Sequence, residues 1–233
     1  MAYRAVVINY NSRLLARLNG AELDHIAPFL DSVELSAGDV LLEAGVMPDY
    51  IWFPETCVAG VIVATPAGRA VEVAKIGFEG MTGVPLLLGG ESGNMTISVQ
   101  IGGAAQRMRA TDFISQVVEQ RNGTYTELLR YANAFCEGIA QLAACNSLHS
   151  IDERLARWIL TTQDRSASRV MPLTQEFIAS MLGIRRASVS TAASTLAQAG
   201  AIKYTRGELE VTDRAVLEQH SCACYRVLKE IAE

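Results

Sequence analysis

A chain of 233 residues, 50% hydrophobic and only 19% charged, can bury one large core or two modest ones and is not a disordered polymer. It has no run of about 18 apolar residues, so no membrane span is expected, and its eighteen glycines show no period, which excludes a collagen-like chain. The formal net charge of −5 is unevenly spread: residues 1–150 hold nine Lys/Arg against fifteen Asp/Glu, and 151–233 hold eleven against ten.

The N-terminus, MAYRAVVINYNSRLLARLNG, lacks a small-residue cleavage site, and no signal peptide is expected. Five cysteines (Cys57, Cys136, Cys145, Cys222 and Cys224) fit a reduced, cytoplasmic protein. There is no CxxC pair, and the single spacer in Cys222-Ala-Cys224 is not a standard metal knuckle, so no metal site and no cofactor are expected. Cys222 and Cys224 are read as inert helix thiols, with a redox pair as the alternative.

Residues 12–30 show helical spacing in two short pieces, through Leu14, Leu15 and Leu18, then Leu23, Ile26 and Leu30. From 33 to about 110, short Val/Ile/Leu-rich runs alternate with turn residues. Pro66-Ala67-Gly68 between GVIVAT and RAVEV reads as a hairpin loop. Strands at this spacing predict a β barrel or double-sheet roll. Asp112 is expected to cap a short helix, and Thr124 with Glu127 forms a capping-box pattern that starts a longer one. Along this longer helix Leu128, Ala132, Phe135, Ile139, Leu142, Asn146 and His149 recur at alternating intervals of four and three, a heptad seam. The seam predicts self-association through Leu128, Ala132, Phe135, Ile139 and Leu142; a plain core helix is the alternative. Ser150 and Glu153 form a second capping box, which sets a hinge at 146–150. The expected organisation is therefore a barrel over 1–123, a self-associating helix with the hinge over 124–149, and a second domain over 150–233.

Residues 173–200, LTQEFIASMLGIRRASVSTAASTLAQAG, give two short helices around a turn containing Gly183. Thr174 caps the first, and Val189, Ala192, Ala193 and Leu196 are the buried stripe of the second. This is the pattern of a helix-turn-helix. The second helix should expose Arg185, Arg186, Ser188, Ser190, Thr191 and Ser194. Arg can bond guanine bidentately, while Ser and Thr reach bases or phosphates. Two short runs, 202–205 and 209–212, flank Arg206-Gly207-Glu208 and predict a wing hairpin, with Lys203 and Arg206 on phosphates. The stretch 165–206 also carries Arg165 and Arg169 against only Glu176, a local basic excess suited to a polyanion. Residues 213–233 read as one final helix.

In this order, SAGDVLLEAG with its barrel texture, the heptad helix and LTQEFIASMLGIRRASVSTAASTL with its wing resemble the CRP/FNR family of bacterial transcription regulators. The resemblance spans nearly the whole chain. It implies an α+β fold: an N-terminal jelly-roll-like barrel of the cyclic-nucleotide-binding type, a long dimerisation helix and a C-terminal winged helix-turn-helix domain. It implies a homodimer on palindromic double-stranded DNA, working with RNA polymerase and responding to a small-molecule effector, with no membrane partner. Ala187 stands where many family members have Glu, so the family's best-known operator is not carried over.

The family's cyclic-nucleotide cassette joins Gly-Glu to a later Arg-Ser/Thr-Ala. Here Gly83 is followed by Val84, Asn94 falls at the Arg and Met95 at the Ser/Thr; a one-residue slip brings in Thr96 but no Arg. A phosphate without its guanidinium loses its main charge-assisted bond, so a cyclic nucleotide is not the expected effector. Glu79, Gly83, Asn94 and Thr96 are the candidate pocket, with Glu79 as a substitute carboxylate or a turn residue. No cysteine precedes Cys57, against an N-terminal iron–sulfur cluster. His149, on the seam, reads as an interface histidine, with a pH or haem role as the alternative. The expected function is a homodimeric DNA-binding transcription regulator with an unidentified effector or none; the alternative is a cyclic-nucleotide- or redox-responsive regulator of the same family. A binding module using its helix-turn-helix for protein contacts is the second class. An enzyme is not expected, for want of a nucleophile–base set, a metal cluster or a phosphate loop.

Overall fold

The computed structural model describes residues 10–166 and 168–233; the first nine residues of the N-terminal segment considered above lie outside them. Two short helices come first, α1 (Arg13–Ala16) and α2 (Gly20–Ile26). Ser12 caps α1. Asn19 and Glu22 cap α2 reciprocally, at 3.0 and 3.1 Å.

Seven strands follow: β1 (Leu30–Leu35), β2 (Val40–Leu42), β3 (Tyr50–Pro54), β4 (Val58–Ala64), β5 (Ala70–Ile76), β6 (Met95–Ile101) and β7 (Gly103–Arg109), with α3 (Val84–Leu87) before β6. They make two antiparallel sheets, ordered β1-β7-β3 and β2-β6-β4-β5. Leu41, Val61, Ile76, Ile97 and Val99 are among the buried side chains of the roll's own core. The β4–β5 hairpin turns at Gly68, as expected.

Next comes α4 (Ala110–Phe113), which runs on through a π turn at Ile114–Val118. Asp112 lies within α4's first turn rather than at its cap, because the extended backbone needed there belongs to Arg109. The long helix α5 (Gly123–Leu148) is capped by Asn122, whose Oδ1 accepts from the Tyr125 N–H at 3.2 Å. Thr124, the expected cap, is already helical and buried; only an extended residue can aim its side chain back at the free N–H groups.

The heptad seam of α5 is turned inward. Leu128 and Ala132 are 1% and 2% exposed, within a core shared with α1, β3 and α3. Phe135 and Ile139 are half-buried against the roll. Leu142 is half-buried too. The first two residues of the seam are thus spent on the chain's own barrel, the packing that the broad stripe left open. The outward side of α5 presents Asn133, Cys136, Glu137, Ala140, Ala143, Ala144 and Ser147.

After His149 the chain enters α6 (Ile151–Ser166), with Ser150 and Glu153 in the expected reciprocal cap at 2.8 and 3.4 Å. Then come β8 (Val170–Met171), α7 (Gln175–Leu182), α8 (Arg186–Gln198), β9 (Ile202–Thr205) and β10 (Glu208–Val211). The three strands form the sheet β8-β10-β9. One core joins Trp158, Ile159, Ile178, Val189, Leu196, Leu209 and Leu217. The expected final helix is two, α9 (Arg214–Gln219) and α10 (Cys224–Ala232), separated at Ser221 and Cys222. The break lets α10 fold back along α5, where it carries its strongly amphipathic face.

The winged unit docks on its own roll. Lys75 of β5 sits over the Trp158 ring of α6, 3.9 Å from its centroid, and pairs with Glu72 at 2.6 Å. Arg165 pairs with Glu79 at 2.6 Å, and Arg69 donates to the Gly183 carbonyl at 2.9 Å. Ile62 and Ile101 of the roll pack against the winged core.

Candidate nucleic-acid interface

Local rules place the recognition surface. Thr174 Oγ1 accepts from the Phe177 N–H at 3.1 Å and starts α7. Gly183 ends it in the left-handed region (φ 66°), where a side chain would be strained. The chain reverses within three residues, and Arg185 enters α8 in extended conformation. Val189, Ala192, Ala193 and Leu196 are buried, as expected, which fixes the opposite face outward.

That outward face carries Arg185, Arg186, Thr191 and Ser194, all exposed, with Ser188 and Ser190 half-buried at its edges. The hydroxyls of Thr191 and Ser194 donate to carbonyls one turn back, at 3.1 and 2.9 Å. Their lone pairs stay free, and rotation frees the protons. Arg186 stands 3.9 Å from Glu176, with both side chains largely exposed (69% and 77%), a pair whose release costs little. Two guanidiniums at the start of a helix oppose its dipole. Such a local conflict is repaired by a bound polyanion.

The wing turns through Arg206 (φ 49°) and Gly207 (φ 87°), the two left-handed residues of a tight hairpin. Lys203 and Arg206 are exposed. Lys203 stands across the ladder from Glu210, so Glu208 and Glu210 offset the wing's positive charge. Arg165, counted in the basic stretch, is withdrawn from this surface by its pair with Glu79.

The four candidate pocket residues lie in different settings. Glu79 is tied to Arg165, Gly83 starts α3 with φ 85°, Asn94 is exposed in the loop before β6, and Thr96 lies in β6 opposite Ile62. A cavity of about 170 Å³ lies between β5, α5, α6 and α10. Of the four, only Glu79 lines it. Lys75, Tyr131, Arg157 and Arg165 join it there. Burial lowers Lys75 to about 7, against the opposing pull of Glu72. Arg157 is 3% exposed, and its Nε has no partner among the described residues. Sequence reading missed both cations. Lys75 lies in an alternating strand, where an inward charge carries no pattern of its own.

Cys145, His149, Cys222 and Cys224, scattered along the sequence, converge: their ligand atoms all lie within 4.8 Å of one another. Among the described residues no helix is long and apolar enough to cross a membrane.

Residues 153–220 match the family model of the Crp-like helix-turn-helix domain. The whole architecture recurs in solved structures of CRP/FNR regulators. One, assigned to the crp/fnr family of transcriptional regulators from Eubacterium rectale ATCC 33656, aligns with TM-score 0.69 at 16% identity, covering 93% of this chain and 99% of that one. A CRP-family transcriptional regulator from Thermus thermophilus aligns with TM-score 0.68 at 17% identity, over 81% and 96%. The c-di-GMP-responsive global regulator CLP of Xanthomonas campestris aligns with TM-score 0.66 at 7% identity, over 83% and 99%. A search of curated proteins by sequence found no match. The chain thus has the fold of the CRP/FNR regulators, and it carries their type of helix-turn-helix domain.

Proposed function

Proceeding from a Crp-like helix-turn-helix domain set in the CRP/FNR-type fold, we propose that the chain is a homodimeric DNA-binding transcription regulator. The observation that carries this reading is the outward face of α8. Arg185 and Arg186 lead a row of small hydroxyl side chains on a helix fixed from behind by a buried stripe and flanked by a wing. Arg185 and Arg186 read base edges, Ser188, Ser190 and Thr191 reach bases or phosphates, and Lys203 and Arg206 hold the backbone. Two copies place their α8 helices in successive major grooves, ~34–36 Å apart.

The dimer forms through the outward face of α5. Cys136, Ala140, Ala143 and Ser147 recur there at helical spacing, and their small side chains let two helices approach closely. The effector occupies the cavity between roll, α5, α6 and α10. Arg157, buried beside it with its Nε–H donating to no group among the described residues, suits a small anionic molecule. A ligand there touches both sides of the hinge at 146–150, so it shifts the balance between orientations of the winged unit. On a promoter such a dimer acts on RNA polymerase.

The test is sedimentation and duplex binding on the full chain. Ala140→Glu should convert dimer to monomer and reduce affinity for a two-half-site duplex, with the fold intact by circular dichroism. A dimer unaffected by Ala140→Glu refutes the assigned face. Duplex binding unchanged by Arg185→Ala with Arg186→Ala refutes the assigned function.

A further inference from the structure

Three cysteines and a histidine, drawn from two distant parts of the sequence, meet at the corner where α5 ends and α9 gives way to α10. Cys145 and His149 lie one helical turn apart at the end of α5, and the His149 N–H still bonds to the Cys145 carbonyl at 3.1 Å. Cys222 sits in the break that separates α9 from α10, and Cys224 begins α10. The sulfurs of Cys145 and Cys222 are 3.5 Å apart, and Cys224 Sγ is 3.7 Å from His149 Nδ1. All three cysteines are buried, and they form a small cluster separate from the larger cores.

A tetrahedral ion with metal–sulfur bonds of about 2.3 Å holds its thiolates about 3.8 Å apart. These two separations are close to the edges of that tetrahedron, and all four ligand atoms lie within 4.8 Å of one another. An iron–sulfur cluster would need its cysteines wider apart than this. A disulfide would use two of the three sulfurs and leave the convergence of Cys224 and His149 without a role.

The surroundings fit the same reading. Gln141 donates its Nε2–H to Cys224 Sγ at 3.0 Å, the kind of outer hydrogen bond that orients a ligating thiolate. The buried Arg157 guanidinium lies within electrostatic range of Cys145. Three thiolates, a neutral imidazole and a divalent ion leave one net negative charge, which that guanidinium offsets.

We propose that Cys145, His149, Cys222 and Cys224 form a mononuclear Cys₃His site for a zinc-class divalent ion, clamping the end of α5 to the α9–α10 corner. Soft thiolates with one imidazole in tetrahedral array select zinc over the hard cations. With four protein ligands the site is closed and structural. It fixes the hinge side of α5 against the C-terminal helices, which also close the cavity. Cys136, exposed on α5, and Cys57, buried in the roll, stand outside it.

The test uses full-length protein purified under reducing conditions from zinc-supplemented cells, with no DNA present, so its outcome is independent of the regulatory reading. Elemental analysis should find ~1 zinc per chain. Co²⁺ exchanged for Zn²⁺ should give the intense visible bands of tetrahedral cobalt and a thiolate charge-transfer band. Cys222→Ser and His149→Ala should lose the stoichiometric zinc, Cys136→Ser should keep it, and Gln141→Ala should weaken affinity ~10–100-fold. Should the site variants fail to fold, the wild-type cobalt spectrum and its loss on chelation decide the matter. Wild-type protein that takes up neither ion stoichiometrically overturns the proposal. So does a Cys145–Cys222 disulfide in the reduced preparation, or a weak octahedral cobalt spectrum.

Discussion

Lys75 should make the docked structure more stable as pH rises above neutrality. Its side chain is 4% exposed and that of its partner Glu72 is 5%. Around the ammonium lie Glu72 and Gln100 from the roll and Trp158, Arg157 and Arg165 from α6. Burial pulls Lys75 to about 7, the two guanidiniums add to this, and Glu72 opposes it. In the unfolded chain the same group titrates near ~10.4. Between these values the unfolded state binds more protons than the folded one, so stability rises with pH, by up to about 1.4 kcal/mol per unit. The gain is complete above the unfolded value and is lost as pH falls towards 7. Integrated from pH 7.0 to 8.5, a single site with these two pKa values contributes roughly 2 kcal/mol. The comparison is with Lys75→Met/Glu72→Gln, which removes both charges and keeps an amide beside Gln100. Urea unfolding of both proteins under reducing conditions, at the two pH values, should show a larger gain in the wild type by roughly that amount. Equal gains would refute the burial of a titrating lysine between roll and α6.

Other outcomes follow from named contacts. Arg186→Ala should cost ~1–3 kcal/mol on a specific duplex and little on nonspecific DNA, while Lys203→Ala should weaken both and reduce the salt slope by ~1, read by fluorescence anisotropy. Gly183→Val should destabilise the winged unit by ~1–3 kcal/mol, because φ is 66° and a new Cβ would lie 3.2 Å from Val71, measured by thermal unfolding. Leu128→Ala should cost ~2–5 kcal/mol of stability in urea without favouring monomers, since Leu128 is spent on the chain's own core. Breaking the Glu79–Arg165 pair by Arg165→Met should cost roughly 3 kcal/mol, because a carboxylate only 9% exposed loses its partner, and Glu79→Gln in the same chain should recover part of it.

The elements most legible in the sequence were those written in local chemistry. Thr174, Gly183, the Val189-to-Leu196 stripe and the Ser150–Glu153 cap specify the helix-turn-helix and its approach within a few residues each. The heptad periodicity of α5 was equally local, but periodicity gives a face without naming what covers it. The barrel took the stripe, leaving the small-residue side outward. Thr124 yielded the cap to Asn122 because two neighbouring candidates differ only in backbone conformation, which packing of Thr124 into the core decides. The break at Ser221 and Cys222 has no proline or glycine to announce it. The candidate pocket residues came from an alignment register rather than from geometry, whereas the buried cations of the α5–α6–α10 cavity arrive from α6 and β5. The cysteine cluster was invisible for the same reason: its halves lie 77 residues apart and meet only when α10 folds back on α5.

Selection of the full-length protein on random duplex DNA, followed by sequencing, tests the regulatory reading most directly. Enrichment of a two-fold symmetric consensus, with half-sites about one helical turn apart and lost in Arg185→Ala/Arg186→Ala, is the expected result. A consensus without two-fold symmetry, or enrichment no greater than for that double variant, would contradict it.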